Sequence, residues 1–211
     1  MAACSIRWAV FDYGGVLAEE GFVAGLYSIA DKSDLERDHV FRTAREIILA
    51  TGYLIGATDE QTFWSEFIKE TGIQRSRQEL RNEILSRFVL RPWMVELVEG
   101  LQGMGLNLAV LSDQVNWLDE LEARDDFFKY FDQVFNSYHL GKSKDDPTIF
   151  DDLVLRINAR PEEVLFIDDH LPHVQRALSR GVNAVLFTGQ RELLNDLSRY
   201  CPGMAKFTRN G

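Results

Sequence analysis

Cysteine and positive charge are scarce in this sequence, and long apolar runs are missing from it. Among 211 residues there are two cysteines, Cys4 and Cys201. Two thiols without metal-type spacing predict no disulfide framework and a reducing compartment. Lysine and arginine total 23 against 33 aspartates and glutamates, a formal net charge of −10. That balance argues against a non-specific nucleic-acid or anionic-membrane surface, which requires a basic face. It leaves anionic substrates open, because a single cation can reverse the local sign at one site. No stretch approaches about 18 apolar residues, so no transmembrane helix is expected. Residues 1–11 carry no signal-peptide pattern: Arg7 interrupts the apolar run, which leads straight into Asp12. The expected location is therefore cytoplasmic. Internal repeats and low-complexity segments are absent.

What remains is a globular composition. Hydrophobic residues make up 45% and charged residues 27% of the chain, enough for a packed core. The length suits one α/β domain, or a core domain with a small insertion. Five short apolar runs read as buried strands: Arg7 to Phe11, Leu106 to Leu111, Gln133 to Phe135, Val164 to Ile167 and Ala184 to Phe187. Helical patterns separate the later ones. This alternation predicts an α/β fold with a Rossmann-like, doubly wound parallel sheet.

Between the first strand and the others the pattern changes. Residues 19–89 hold no strand but three helix starts of capping-box type, Ser33-Asp34-Leu35-Glu36, Thr58-Asp59-Glu60-Gln61 and Ser76-Arg77-Gln78-Glu79. Phe63, Trp64, Phe67 and Ile68 mark one helical face; Leu80, Ile84, Leu85 and Phe88 mark another, and the segment's aromatics are read as its own core in preference to a ligand box. Pro92 is placed to open the helix that resumes the core. The expected division is a core of residues 1–18 and 90–211 with a helical cap of residues 19–89, set where a lid over a catalytic loop is useful.

Polar residues gather at the strand ends. The run Trp8-Ala9-Val10-Phe11 ends in Asp12-Tyr13-Gly14-Gly15, Leu108-Ala109-Val110-Leu111 in Ser112-Asp113-Gln114, and Leu165-Phe166-Ile167 in Asp168-Asp169-His170. Gly141-Lys142-Ser143-Lys144-Asp145-Asp146-Pro147 reads as a loop opening a helix, with Asp146 as N-cap and Pro147 as first helical residue. In a doubly wound sheet the C-terminal strand ends meet at one edge. Carboxylates about 4 Å apart repel by roughly 4 kcal/mol per pair at an effective dielectric near 20. A cluster of Asp12, Asp168 and Asp169 therefore calls for a cation or a raised pKa, and hard oxygen ligands beside a phosphoryl group point to Mg2+. A serine hydroxyl and a lysine suit the remaining phosphoryl oxygens.

These motifs, in this order, resemble those of the haloacid dehalogenase-like hydrolases, particularly capped members similar to glucose-1-phosphatases and to the N-terminal part of epoxide hydrolases. Asp12-Tyr13-Gly14-Gly15-Val16-Leu17 resembles the nucleophile motif, and Leu111-Ser112-Asp113 the hydroxyl motif. Gly141-Lys142-Ser143-Lys144 resembles the lysine loop, with Lys144 the better match and Lys142 the fallback. Phe166-Ile167-Asp168-Asp169 resembles the acidic motif. The resemblance implies catalysis by Asp12, Ser112 and Lys144, and phosphate binding by Ser112, Asp113 and Lys144. It also implies Mg2+ held by Asp12, the Gly14 carbonyl and Asp169, with Asp168 supporting the ion directly or through water.

The implied activity is hydrolysis of a small phosphorylated metabolite through an aspartyl-phosphate on Asp12. One departure stands out. Most phosphatases of the family carry a second aspartate, the general acid/base, where this chain has Gly14; such catalysis contributes about 10²–10⁴-fold. His170, His173, Glu19 and Glu20 are the candidate replacements, both histidines also fitting the first turn of a helix. Tyr13 is expected to point away from Asp12, since strand side chains alternate. Arg42 and Arg45 are either anion contacts or ordinary exposed arginines. Two alternatives accompany the phosphatase: a metal-independent 2-haloacid dehalogenase, disfavoured by the Asp168-Asp169 pair, and a catalytically impaired phosphate-binding or regulatory protein.

Overall fold

The five apolar runs form the five strands of one sheet. In a computed structural model that describes residues 4–203, they are β1 (Trp8–Phe11), β2 (Asn107–Ser112), β3 (Gln133–Asn136), β4 (Val164–Asp168) and β5 (Asn183–Leu186). All pairings are parallel, in the order β3-β2-β1-β4-β5. Side chains alternate between the two faces, as the period of two requires. Phe11, Val110 and Ile167 enter one apolar cluster, whereas Val10, Leu111 and Phe166 enter the other. Both faces are covered, which is why the strands read as unbroken apolar runs rather than alternating ones.

The helices follow in chain order. Between β1 and β2 lie α1 (Gly21–Asp31), α2 (Arg37–Thr51), α3 (Glu60–Thr71), α4 (Arg77–Leu85) and α5 (Pro92–Gly103). Then come α6 (Trp117–Asp125), α7 (Ser137–Leu140), α8 (Ile149–Arg156), α9 (Leu171–Ser179) and α10 (Gln190–Tyr200). Pro92 opens α5 and the Ser76–Glu79 capping box opens α4, as expected from their patterns. Elsewhere the starts shift. Asp59, not Thr58, caps α3 by accepting from Thr62 N–H, and α2 begins after Glu36 rather than Ser33, with Asp34 in a left-handed turn between them. Likewise α8 starts at Ile149, two residues beyond Pro147; the Asp146 carboxylate instead holds the Thr148 N–H at 2.9 Å. In each case a side chain one to three residues away competes for the same free N–H groups.

The expectation of unpaired cysteines is corrected: Cys4 and Cys201 form a disulfide, with their Cα atoms 4.2 Å apart. The pairing spans 197 positions, and no local spacing pattern signals it. What brings the two together is the packing of α10, whose last residue Tyr200 accepts from Ser5 N–H at 2.8 Å. Among the described residues, no helix is long and apolar enough to cross a membrane.

Helices α1–α4 pack on one another and on the sheet layer through a shared apolar core. Phe63, Trp64 and Phe67 are buried in it, and Trp117 at the start of α6 meets Phe63 and Trp64 at ring distances of 6.2 and 6.0 Å. One carboxylate ties this contact together. Glu60 accepts from the indole N–H groups of Trp64 and Trp117 at 2.9 Å each, from Arg81 Nε at 2.8 Å and from Asn116 Nδ2 at 3.2 Å. Burial opposes its charge, but these four donors and the Arg81 charge outweigh burial and hold it below the usual glutamate range.

Glu60→Ala is therefore expected to destabilise the protein by about 2–4 kcal/mol in urea titration at neutral pH, by stranding two indole N–H groups and a guanidinium. A carboxyl held low in the folded state stabilises above its unfolded pKa and loses that contribution as pH falls. The gap between wild type and variant should accordingly narrow below about pH 4.

Candidate active site

Strand order reverses at β1: β2 and β3 lie to one side, β4 and β5 to the other. Open α/β sheets leave a crevice at the carboxyl ends of the strands flanking such a reversal. Asp12 directly follows β1 and donates its N–H to Ile167 O of β4 at 2.9 Å. Asp168 ends β4 and Asp169 follows. Oxygens of Asp12, Asp168 and Asp169 lie within 4.8 Å of one another.

Lys144 reaches into this cluster from the loop before α8. Its ammonium, with no solvent exposure, is 2.6 Å from Asp168 Oδ2 and 3.0 Å from Asp12 Oδ1. Burial would lower its pKa, yet Asp12, Asp168 and Asp113 outweigh burial and raise it, so it is a fixed cation. For Asp168 burial is overcome by Lys144 and His173, and the carboxyl sits well below its usual range. Asp12 is pushed the other way, chiefly by burial, with Asp168 and Asp169 adding to the rise and Lys144 only partly opposing it. Asp169 is raised by burial and by Asp168. One lysine thus leaves the cluster short of positive charge. Three converging hard-oxygen donors with that deficit fit a divalent cation.

Lys142, the fallback, lies outside this cluster, paired with Asp152 at 2.5 Å on the flank of α8. Ser112 is buried at the end of β2 and lines the same cavity as Asp12 and Lys144. Asp113 lines the same cavity, and its side chain is turned to the lysine loop. Its carboxylate accepts the Lys144 N–H at 2.9 Å, so it positions the lysine loop, and a carboxylate facing a phosphate would repel it. Tyr13 points away from Asp12, stacked on Phe127 at 4.8 Å.

The two glycines after Asp12 do different work. A Cβ on Gly15 would lie 2.1 Å from Asp169 Oδ2, and its φ of +77° is left-handed, so only glycine lets Asp169 close on the cluster. A Cβ on Gly14 would sit 3.1 Å from Glu20 Oε2 and 3.4 Å from Phe88. The space beyond Gly14 is therefore occupied by the Glu20 carboxylate. Glu20 Oε1 accepts from Phe22 and Val23 N–H at 3.0 and 3.2 Å, capping α1. Burial raises its pKa, outweighing those two bonds.

Of the other acid/base candidates, His170 and His173 line the same cavity and Glu19 does not. Glu19 pairs with Arg91 at 3.0 Å. His173, in the first turn of α9, has Nδ1 3.3 Å from Asp168 Oδ2, and His170 is the α9 N-cap. Arg42 bonds back to Asp38 O in its own helix, whereas Arg45 lines the cavity.

That cavity, about 390 Å³, opens above the carboxylates. Its floor is polar, and its walls include Phe22, Phe41, Leu54 and Trp117. Sequence reasoning missed these wall residues because an apolar helical position facing a cavity looks the same as one facing the core.

Residues 6–179 match the family model described as haloacid dehalogenase-like hydrolase. Mouse bifunctional epoxide hydrolase 2 is 23% identical over 92% of this chain, which spans only 39% of that relative's length. A haloacid dehalogenase-family enzyme from Bacteroides thetaiotaomicron superposes with a TM-score of 0.73 at 20% identity, covering 88% of this chain and 95% of that one. One structure of that enzyme is a complex with magnesium and inorganic phosphate. The L-2-haloacid dehalogenase of Xanthobacter autotrophicus gives a TM-score of 0.64 at 21% identity, covering 90% and 81%.

Gly15→Ala is expected to abolish divalent-cation stabilisation, read as loss of the rise in melting temperature on adding millimolar Mg2+. Gly14→Ala, whose contacts are tight without being forbidden, should retain most of that rise.

Proposed function

This chain belongs to the haloacid dehalogenase-like hydrolases, and from that premise we propose that it is a phosphatase dependent on Mg2+, acting on a small phosphorylated metabolite. The observation that carries this reading is the buried Lys144 ammonium beside Asp12, among three carboxylates at the floor of a cavity. A dehalogenase acting on a single halide-bearing carbon has no use for so many acids. In this reading helices α1–α4 form a cap domain of residues 19–89 over a core of residues 1–18 and 90–211. The partners are small molecules rather than nucleic acid or membrane; the Cys4–Cys201 disulfide removes the cysteine argument for a cytoplasmic location.

Asp12 attacks phosphorus in line with the ester oxygen. The P–O bond breaks, an acyl phosphate forms on Asp12, and water then attacks it to release phosphate. Lys144 and the Ser112 hydroxyl hold the non-bridging oxygens and offset charge developing on them. Mg2+, bound by Asp12, the Gly14 carbonyl and Asp169 with Asp168 alongside, would add positive charge against the same oxygens.

The proton falls to Glu20. One carboxylate oxygen is fixed by two backbone N–H groups, leaving the other free above Gly14. Its raised pKa keeps it protonated to higher pH than an ordinary carboxyl. It donates to the departing alkoxide and recovers the proton from the attacking water.

Phosphate release from alkyl and aryl phosphates tests the activity: it should depend on Mg2+, stop with chelator and vanish in Asp12→Asn. Halide release from 2-chloropropionate that ignores chelator would instead support the dehalogenase. Saturable phosphate binding without turnover would support a binding protein.

Glu20→Gln retains an oxygen to cap α1, so its melting temperature should stay close to wild type. Its kcat on alkyl phosphates should fall about 10²-fold or more, while p-nitrophenyl phosphate, whose leaving group needs no proton, should lose far less. Equal losses on both would assign the proton to another group.

A further inference from the structure

Resting on the phosphatase reading, we infer that the substrate is a phosphate monoester of an apolar alcohol, a hydrocarbon chain or ring, rather than of a sugar or other polyol. The cavity is sharply divided. Asp12, Asp169 and the Lys144 ammonium lie on the floor, where the phosphoryl group would sit. Its upper walls are supplied by Phe22 and Val23 of α1, Phe41 and Ile48 of α2, Leu54 beyond α2, and Phe88. At the mouth Leu49 is 47% exposed, a large apolar side chain without cover.

Among the lining residues between positions 19 and 89 the polar side chains are Glu20 and Arg45; Gln114, Asp145, His170 and His173 line the cavity from the loops at the sheet edge. Glu20 has one oxygen committed to the Phe22 and Val23 N–H groups and the other directed at Gly14. Arg45 is exposed, one helical turn before Leu49. A polyol lying against this wall would strip water from hydroxyls for which Phe22, Val23, Phe41, Ile48, Leu54 and Phe88 offer no partner, losing roughly tenfold in affinity for each one left unpaired. A hydrocarbon gains instead, at about fourfold for each methylene fully buried. At about 390 Å³ the cavity exceeds what a phosphate group needs and falls within the range of small-molecule sites.

The test uses full-length Asp12→Asn protein with Mg2+, which cannot turn the ester over, and calorimetric titration with n-alkylphosphonates from methyl to decyl, phenylphosphonate and glucose 6-phosphate. Affinity is expected to climb by up to about fourfold per added methylene over the first several carbons, with glucose 6-phosphate no tighter than methylphosphonate. Phenylphosphonate rivalling hexylphosphonate would identify a ring as the favoured group; a steady climb beyond hexyl would identify a chain. Leu49→Ser, at an exposed position that folding tolerates, and Leu54→Ser should each reduce the ratio of decyl to methyl affinity several-fold. An affinity independent of chain length, or glucose 6-phosphate binding more tightly than hexylphosphonate, overturns the inference while leaving a phosphatase in place. Failure of every phosphonate and of inorganic phosphate to bind overturns the phosphatase reading, and this inference with it.

Discussion

Everything at the working end of this molecule depends on one buried ammonium. Lys144 has no contact with water, and two carboxylates face it, at 2.6 and 3.0 Å. Neither side could be buried alone: an unpaired lysine would lose its proton, and unpaired aspartates would gain theirs. Parallel strands converge on this edge, so their terminal acids are brought together by the fold whether or not electrostatics favours it. The lysine loop makes that convergence tolerable, and Asp113 fixes the loop through its backbone N–H. The remaining shortage of positive charge suits the three carboxylates to a cation.

Above the charged floor the logic inverts. Helices α1 and α2 offer almost no polar groups to the cavity, and the one carboxylate they contribute, Glu20, sits directly over Gly14. The absence of a side chain at residue 14 and the presence of one at residue 20 are two halves of one arrangement. A second aspartate at position 14 would press its own carboxylate against that of Glu20. In the proposed mechanism the acid therefore comes from the mouth of α1 rather than from residue 14.

Much of this was legible in the residues. The strands, the fold and the gathering of Asp12, Ser112, Asp168 and Asp169 follow from apolar runs that end in polar residues, a pattern the backbone geometry produces directly, whereas the preference for Lys144 over Lys142 rests only on the family resemblance of its loop. Glu20 was readable only as one of four candidates, because its selection depends on which side chain fills the volume beyond Gly14. Helix starts slipped by one to three residues wherever neighbouring acids compete for the same N–H groups, as Asp59 does with Thr58. Two things left no local trace. Cys4 and Cys201 lie at opposite ends of the described chain, and their pairing is a property of how α10 docks. The apolar cavity wall is written in the same residues as a core, and periodicity cannot separate them.

The chain leaves the sheet layer at Ala18 and returns at Leu90, and the two are joined by an antiparallel bridge; Glu19 N–H bonds Val89 O at 2.9 Å and Arg91 N–H bonds Leu17 O at 3.0 Å. Helices α1–α4 are thus a single excursion pinned at its base. Closing a loop costs entropy that grows only with the logarithm of its length. Residues added to or removed from the turns of that excursion are therefore cheap for the sheet, which meets the same neck whatever hangs beyond it. Freedom to change the cavity's walls is thus concentrated in one segment, which reaches down to the carboxylates through Glu20.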